Sequence, residues 1–83
     1  MKRNTSQAAF ATKTYIPVPV VVQGKRIRLY LHFDEDGGFW VDSPDMQGLV
    51  TQGETTDEAV RNGIDAALAL IETEAILRKK SSR

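Results

Sequence analysis

The sequence predicts a small α+β domain: an antiparallel sheet of three to four strands with one long C-terminal helix packed on one face. Three observations lead to this prediction. Residues 25–33 alternate between apolar and polar side chains, as a strand with one buried face does. An acidic, glycine-containing turn at 34–38 comes next, and a short apolar segment follows it directly. Residues 56–79 then carry apolar side chains at helical spacing without a break.

Length and composition restrict the classes of protein to consider. The chain has 83 residues, no cysteine and one histidine, His32, which excludes a disulfide framework, a thiolate metal site and a histidine-rich metal cluster. No apolar run approaches the length of a membrane span, and no apolar segment follows the basic N-terminal residues as in a secretory signal. We therefore expect a cytoplasmic protein without a cofactor.

The chain is predicted to have three parts. Residues 1–13 are small and polar and are expected to form a flexible arm, residues 14–80 a single domain, and residues 81–83 a disordered tail. Net charge is zero, but every acidic residue lies within 34–74. An acidic centre suits a basic protein partner, whereas general nucleic-acid binders usually carry an excess of basic residues. The alternative is that these acids are ordinary solvated surface.

The first two strands are predicted at 15–23 and 25–33. Pro17 and Pro19 remove two amide donors from the same edge of the first strand, which is typical of an edge strand protected from further pairing. In the second strand one side chain in two is apolar, and these residues are expected in the core: Ile27, Leu29, Leu31 and Phe33. The outer face then holds Arg26, Arg28, Tyr30 and His32, with His32 expected as a surface residue.

The third strand is predicted at 38–43 and a short fourth strand at 49–52. If Phe39 and Val41 join the core, Trp40 and Asp42 lie on the outer face of the sheet. Trp40 would then lie near Arg28, Tyr30 or His32, and an outward Trp beside Tyr and Arg is the composition of a protein-binding anchor. The alternative is that Trp40 covers its own sheet or packs under the N-terminal arm.

The helix is predicted from Thr56 to about Lys79. A capping box precedes it, in which the Thr55 hydroxyl accepts from the Glu58 amide and the Glu58 carboxylate reaches back to the Thr55 amide. Two apolar stripes cover about half of its circumference, more than packing on one sheet requires. The first stripe holds Val60, Ile64, Ala67, Leu68, Ile71 and Ala75, and the second Ala59, Gly63, Ala66, Leu70 and Leu77.

The helix is longer than the strands, so its last turns, from about Glu72, are expected to extend beyond the sheet. A homodimer or higher oligomer would cover the apolar residues there. The predicted dimer helix uses the second stripe, which consists of Ala59, Gly63, Ala66, Leu70 and Leu77. The first three of these residues are small and permit close approach of two helices. The alternative is a frayed helix end.

The segment at 34–62 resembles the core domain of the HicB family of antitoxins. The matching residues are Asp34 to Gly38, Phe39-Trp40-Val41, Pro44-Asp45, Gly48, Thr51 to Thr55 and Glu58-Ala59. The resemblance covers about a third of the chain, in order and without gaps. It implies a truncated ribonuclease H-like fold and a function in binding and sterically blocking HicA, a small basic mRNA-cleaving toxin.

Exposure and charge select the residues expected to contact such a toxin: Trp40, Asp42, Asp34, Asp36 and Asp45. For Asp36 and Asp45 a local function is also expected, as acceptors of backbone amides in their turns.

The chain departs from the family pattern in two ways. Family members commonly continue past the helix into a strand and a DNA-binding domain, so specific DNA binding is doubtful here. The proline-marked strand at 15–23 is additional to the family core. A stand-alone oligomeric protein-binding module without a toxin partner is therefore the alternative function. A metal-dependent nuclease is less favoured because the carboxylates do not converge in the predicted sheet, and we expect no enzyme activity.

Overall fold

The computed structural model describes residues 14–81. The predicted arm at 1–13 and the last two residues of the predicted tail lie outside the described residues, whereas Ser81 ends the helix. The elements in chain order are β1 (Tyr15–Val22), β2 (Lys25–Phe33), β3 (Phe39–Asp42), β4 (Val50–Gly53) and α1 (Thr56–Ser81). The predicted α+β fold, a four-stranded antiparallel sheet with one C-terminal helix, is confirmed.

The four strands form an antiparallel meander in the order β1-β2-β3-β4. β1 is an edge strand, as its two prolines predict, and pairs with β2 along its whole length. The register places Leu29 opposite Val18 and Leu31 opposite both Ile16 and Val41. Alternate residues of every strand therefore face α1, and the others face away from it.

The core lies between the sheet and α1. Its largest fully buried side chains are Ile27, Leu29, Leu31, Val41 and Leu49. The expectation that Phe33 joins them is wrong, since this residue is 61% exposed. Phe33 is the last residue of β2 and contacts the ring of Phe39 at the end of the sheet, with 5.3 Å between the ring centroids. The alternation of apolar and polar residues therefore predicts which side chains of β2 face α1, but it does not predict that the core ends before Phe33.

Small residues bring α1 close to the sheet. Ala59 and Ala67 are fully buried, and a Cβ on Gly63 would lie 2.7 Å from the Leu29 Cδ1. Ala59 and Gly63 were expected at a dimer interface, but the structure buries both against the protein's own sheet, because close packing of a helix on a sheet needs small side chains there. Ala66 and Leu70 are half-buried and also pack against this core.

The last turns of α1 are exposed, as expected of turns that reach beyond the sheet, and three of their residues, Thr73, Glu74 and Leu77, border a groove with Lys25 and the loop at 45–47. Every described side chain from Glu72 to Lys79 is exposed, including Ile76 at 58% and Leu77 at 60%. Of the predicted dimer residues, Leu77 thus remains accessible. Within residues 14–81 no helix combines the length and the apolar character that crossing a membrane would require.

The start of α1 differs in one detail from the predicted capping box. The Thr55 hydroxyl accepts from the Glu58 amide at 3.1 Å, as expected. The Glu58 carboxylate, however, accepts from the amide of Glu54 at 2.7 Å, one residue before the expected Thr55. The backbone bend between β4 and α1 brings the earlier amide within reach, and the cap therefore fixes the strand–helix connection as well as the first turn.

Candidate functional site

The candidate site is the outer face of the sheet, the side opposite to α1. Within residues 14–81 no helix or second sheet packs on this face. Its side chains are those that alternate with the core residues in the four strands: Tyr15, Pro17, Pro19, Val21, Arg26, Arg28, Tyr30, His32, Trp40, Asp42, Val50 and Gln52. The face is largely apolar and aromatic, which is uncommon for a sheet surface in contact with water.

Four rings form a continuous aromatic row across β1, β2 and β3. Trp40 stacks on His32 with ring centroids 3.9 Å apart and an angle of 12° between the planes. Tyr15 lies 5.5 Å from His32 and 4.4 Å from Tyr30, measured between ring centroids. Trp40 nevertheless remains 40% exposed. The row therefore presents a tryptophan whose orientation is fixed by its neighbours and whose surface is still accessible.

A hydrogen bond connects this row to Asp42. His32 Nε2 and Asp42 Oδ1 are 2.7 Å apart, and the two side chains are 22% and 39% exposed. The expectation that His32 is a simple surface residue is therefore incomplete, because its ring is stacked on one side and hydrogen-bonded at its edge. The strand register explains the contact. Trp40 lies opposite His32, and Asp42, two residues further along the same face, lies diagonal to it.

Asp45 has a different environment from the one expected. Its Oδ2 accepts from the backbone amide of Arg28 at 2.8 Å and from Arg28 Nε at 3.0 Å, and its Oδ1 accepts from Nη2 at 2.7 Å. These hydrogen bonds hold the pKa of Asp45 at about 2, well below its usual range, and raise the pKa of Arg28. Asp45 therefore connects the β3–β4 loop to β2, and both of its carboxylate oxygens are hydrogen-bonded to Arg28.

The reason for this pair lies in the length of β3. β3 ends at Asp42, opposite Tyr30, so the amide of Arg28 has no strand partner on that side. On its other side Arg28 lies opposite Pro19 of β1. The Asp45 carboxylate therefore serves as the acceptor for the Arg28 amide that a longer β3 would have provided. Asp45 was expected to accept a hydrogen bond from a backbone amide of its own turn. In this turn the acceptor is the Ser43 hydroxyl, which accepts from the Asp45 amide at 3.1 Å.

The two remaining predicted contact residues lie in the β2–β3 turn. The Asp34 side chain accepts from the amide of Asp36 at 3.0 Å, so the turn-forming carboxylate is that of Asp34, where Asp36 was expected. Both residues are exposed. Trp40 and Asp42 thus lie together on the outer face, whereas Asp34 and Asp36 lie at its end and Asp45 lies beside Arg28.

The turn and the start of α1 together form an acidic end of the molecule. A Cβ on Gly38, in the turn, would lie 2.8 Å from the carbonyl oxygen of Gly53 and 3.3 Å from the Cα of Glu54. A polar groove of about 220 Å³ runs between them. The acidic end comprises Asp34, Glu35, Asp36, Glu54, Asp57 and Glu58. Six acidic residues therefore lie together at this end, whereas Asp45 and Glu74 lie elsewhere and pair with Arg28 and Arg78.

Among the residues that the structure describes, no three histidine, aspartate or glutamate side chains are close enough to hold a metal ion together.

No protein-family model matches the chain, and no curated protein or solved structure matches it either. The resemblance to the HicB core therefore stays a prediction from the residues at 34–62.

Proposed function

We propose that the chain is a HicB-like antitoxin domain that acts in the cytoplasm, where it binds and sterically blocks a small basic HicA-type toxin. The main support is the accessible indole of Trp40, held against His32 by stacking at 3.9 Å. A tryptophan already fixed in one orientation loses little conformational entropy on binding, which is the property of an interface anchor. The proposal requires no reaction by the chain itself.

The distribution of charge supports a basic partner. Asp42 lies beside the exposed tryptophan, and the acidic end adjoins the same strands at the β2–β3 turn. The basic residues of β2 lie toward its other end, at 25–28, where Arg28 is paired with Asp45. Opposite charges across an interface increase the rate of encounter and disfavour the wrong partners. Of the five predicted contact residues, we propose that Trp40, Asp42, Asp34 and Asp36 contact the toxin, with Asp45 as a support of the loop.

Co-expression tests this proposal. The chain is produced together with any small basic protein that its neighbouring reading frame encodes, and the complex is isolated through a tag on one component. We expect a stable complex in which the toxin's RNA cleavage is suppressed at equimolar chain. A neighbouring protein that binds nothing here, or a toxin that cleaves RNA equally well in the complex, would reject the antitoxin function.

A second candidate function is a stand-alone oligomeric protein-binding module without a toxin. The observation in its favour is the exposed apolar end of α1, where Ile76 and Leu77 are 58% and 60% exposed. Exposed apolar pairs on a helix are typical of helix–helix association. The two functions share the fold and differ in the partner, so a pull-down from native lysate followed by identification of the bound proteins separates them.

A further inference from the structure

The cluster of Trp40, His32 and Asp42 has one partly exposed indole and one carboxylate at its edge. His32 stacks on one face of the indole, so the 40% exposure of Trp40 belongs to its edges and to its other face, which lies toward the exposed Gln52 of β4. Asp42 uses Oδ1 for His32, and its side chain is 39% exposed. An aromatic face next to a carboxylate binds organic cations, because the ring quadrupole and the negative charge attract the same group.

We propose that this cluster receives an arginine side chain of the partner protein. The inference rests on the proposed function and specifies the chemistry of its central contact. A guanidinium is planar, so it can stack on the exposed part of the Trp40 ring while its N–H groups donate to Asp42. Residues two apart on one strand face are about 7 Å apart, a distance that one guanidinium and its hydrogen bonds can span.

The charges near the cluster favour a cation as the occupant. The acidic end adjoins Trp40 through the β3–β4 pairing, in which Phe39 lies opposite Gly53 and Trp40 opposite Gln52. Lys25 and Arg26 lie at the far end of β2, and Arg28, which is diagonal to Asp42 across the strands, is compensated by Asp45. A single-stranded nucleic acid would also stack on aromatic rings, but it requires a basic groove along its backbone. The local charge thus favours arginine over a base.

Neutral and charged peptides of the same shape test this inference on the whole chain. The probes are two blocked pentapeptides of glycine and serine around a central arginine or a central citrulline. Trp40 is the one tryptophan of the chain, so its indole N–H gives a single signal in a ¹H–¹⁵N spectrum. We expect the arginine peptide to shift this signal saturably and the citrulline peptide to bind at least about fivefold more weakly.

Two matched variants locate the contact. Asp42→Asn removes the charge while its amide can still bond to His32, and it should weaken binding of the arginine peptide several-fold. Asp65→Asn removes an exposed charge from α1 and should leave the binding unchanged. Equal binding of the two peptides, no saturable shift, or equal effects of the two variants would overturn the inference.

The outcomes also separate this inference from the proposed function. If the toxin co-purifies with the chain but the arginine peptide fails these tests, the antitoxin function stands and the arginine site is rejected. If the peptide binds as expected while no toxin partner is found, the arginine site stands and its partner is another basic protein.

Discussion

Gly53, the last residue of β4, lies directly against the helix backbone at Ala59. A Cβ on this glycine would come within 2.6 Å of the Ala59 Cα and 2.9 Å of the Glu58 carbonyl carbon. Backbone atoms at the start of a capped helix cannot move aside without breaking the cap. At Gly63, by contrast, the nearest atoms are the terminal methyl groups of Leu29, at 2.7 and 3.2 Å. An added methyl group would therefore meet rigid backbone at Gly53 but only a flexible side chain at Gly63.

Gly53→Ala is expected to lower the free energy of unfolding by about 3 kcal/mol, because the added methyl group overlaps the helix backbone. Gly63→Ala should cost less, since Leu29 can shift and alanine improves helix propensity by about 1 kcal/mol. Urea denaturation of the two variants and the unchanged chain measures both effects. Equal losses at the two positions would contradict this description of the contact.

The pair of Arg28 and Asp45 predicts how stability depends on pH. The pKa of Asp45 is about 2 in the folded chain and 3.8 for an ordinary aspartate. The contribution of this carboxylate is therefore complete above its unfolded pKa and is lost as pH falls toward about 2. Between pH 5 and about 2, the urea midpoint of Asp45→Asn should fall less than that of the unchanged chain.

A direct titration completes this test. In Arg28→Met the hydrogen bonds from the guanidinium are absent, so the pKa of Asp45 should rise toward its ordinary value. The carboxyl carbon of Asp45, followed by NMR against pH, reports this change in both chains. An unchanged pKa would show that the backbone amide alone holds the carboxylate in its charged form.

Trp40→Ala should weaken partner binding by about 2 kcal/mol or more, because a preorganised indole is the type of residue that dominates interface energies. Isothermal titration with the isolated partner provides the measurement. Ile76→Ala serves as the control, since Ile76 is 58% exposed on the end of α1 rather than on the sheet. A loss within experimental error would remove Trp40 from the interface.

We predict that the chain self-associates at high micromolar concentration and that Leu77→Glu abolishes this predicted dimer, because it places a charge in the exposed apolar end of α1. Sedimentation equilibrium follows the change. Ala69→Glu, at an exposed position nearer the middle of the helix, is the matched control and should leave the dimer intact. If the unchanged chain is already monomeric, the predicted self-association is wrong.

The strands and helix could be predicted because their signals are local. Alternation at 25–33 gives the bounds of β2, and the prolines of β1 identify an edge strand, since a proline cannot donate to a neighbour. The contacts of the site were less accessible to sequence analysis. His32 and Asp42 are separated by ten residues, and Arg28 and Asp45 by 17. Predicting the first pair requires knowledge of the strand register across the β2–β3 turn. Predicting the second requires knowledge of where β3 ends.

By itself, the sequence determined the α+β class, the edge position of β1, the outward face of Trp40 and the extension of α1 beyond the sheet, because residue period, proline chemistry and helix length decide these features. Only the tertiary structure decided which partner each polar side chain takes. In the folded chain Asp45 pairs with Arg28, and the Glu58 carboxylate accepts a hydrogen bond from the Glu54 amide. The small residues Ala59 and Gly63 pack against the sheet. The physical reason is that a hydrogen bond or a close contact depends on distances of a few ångströms between segments far apart in the chain.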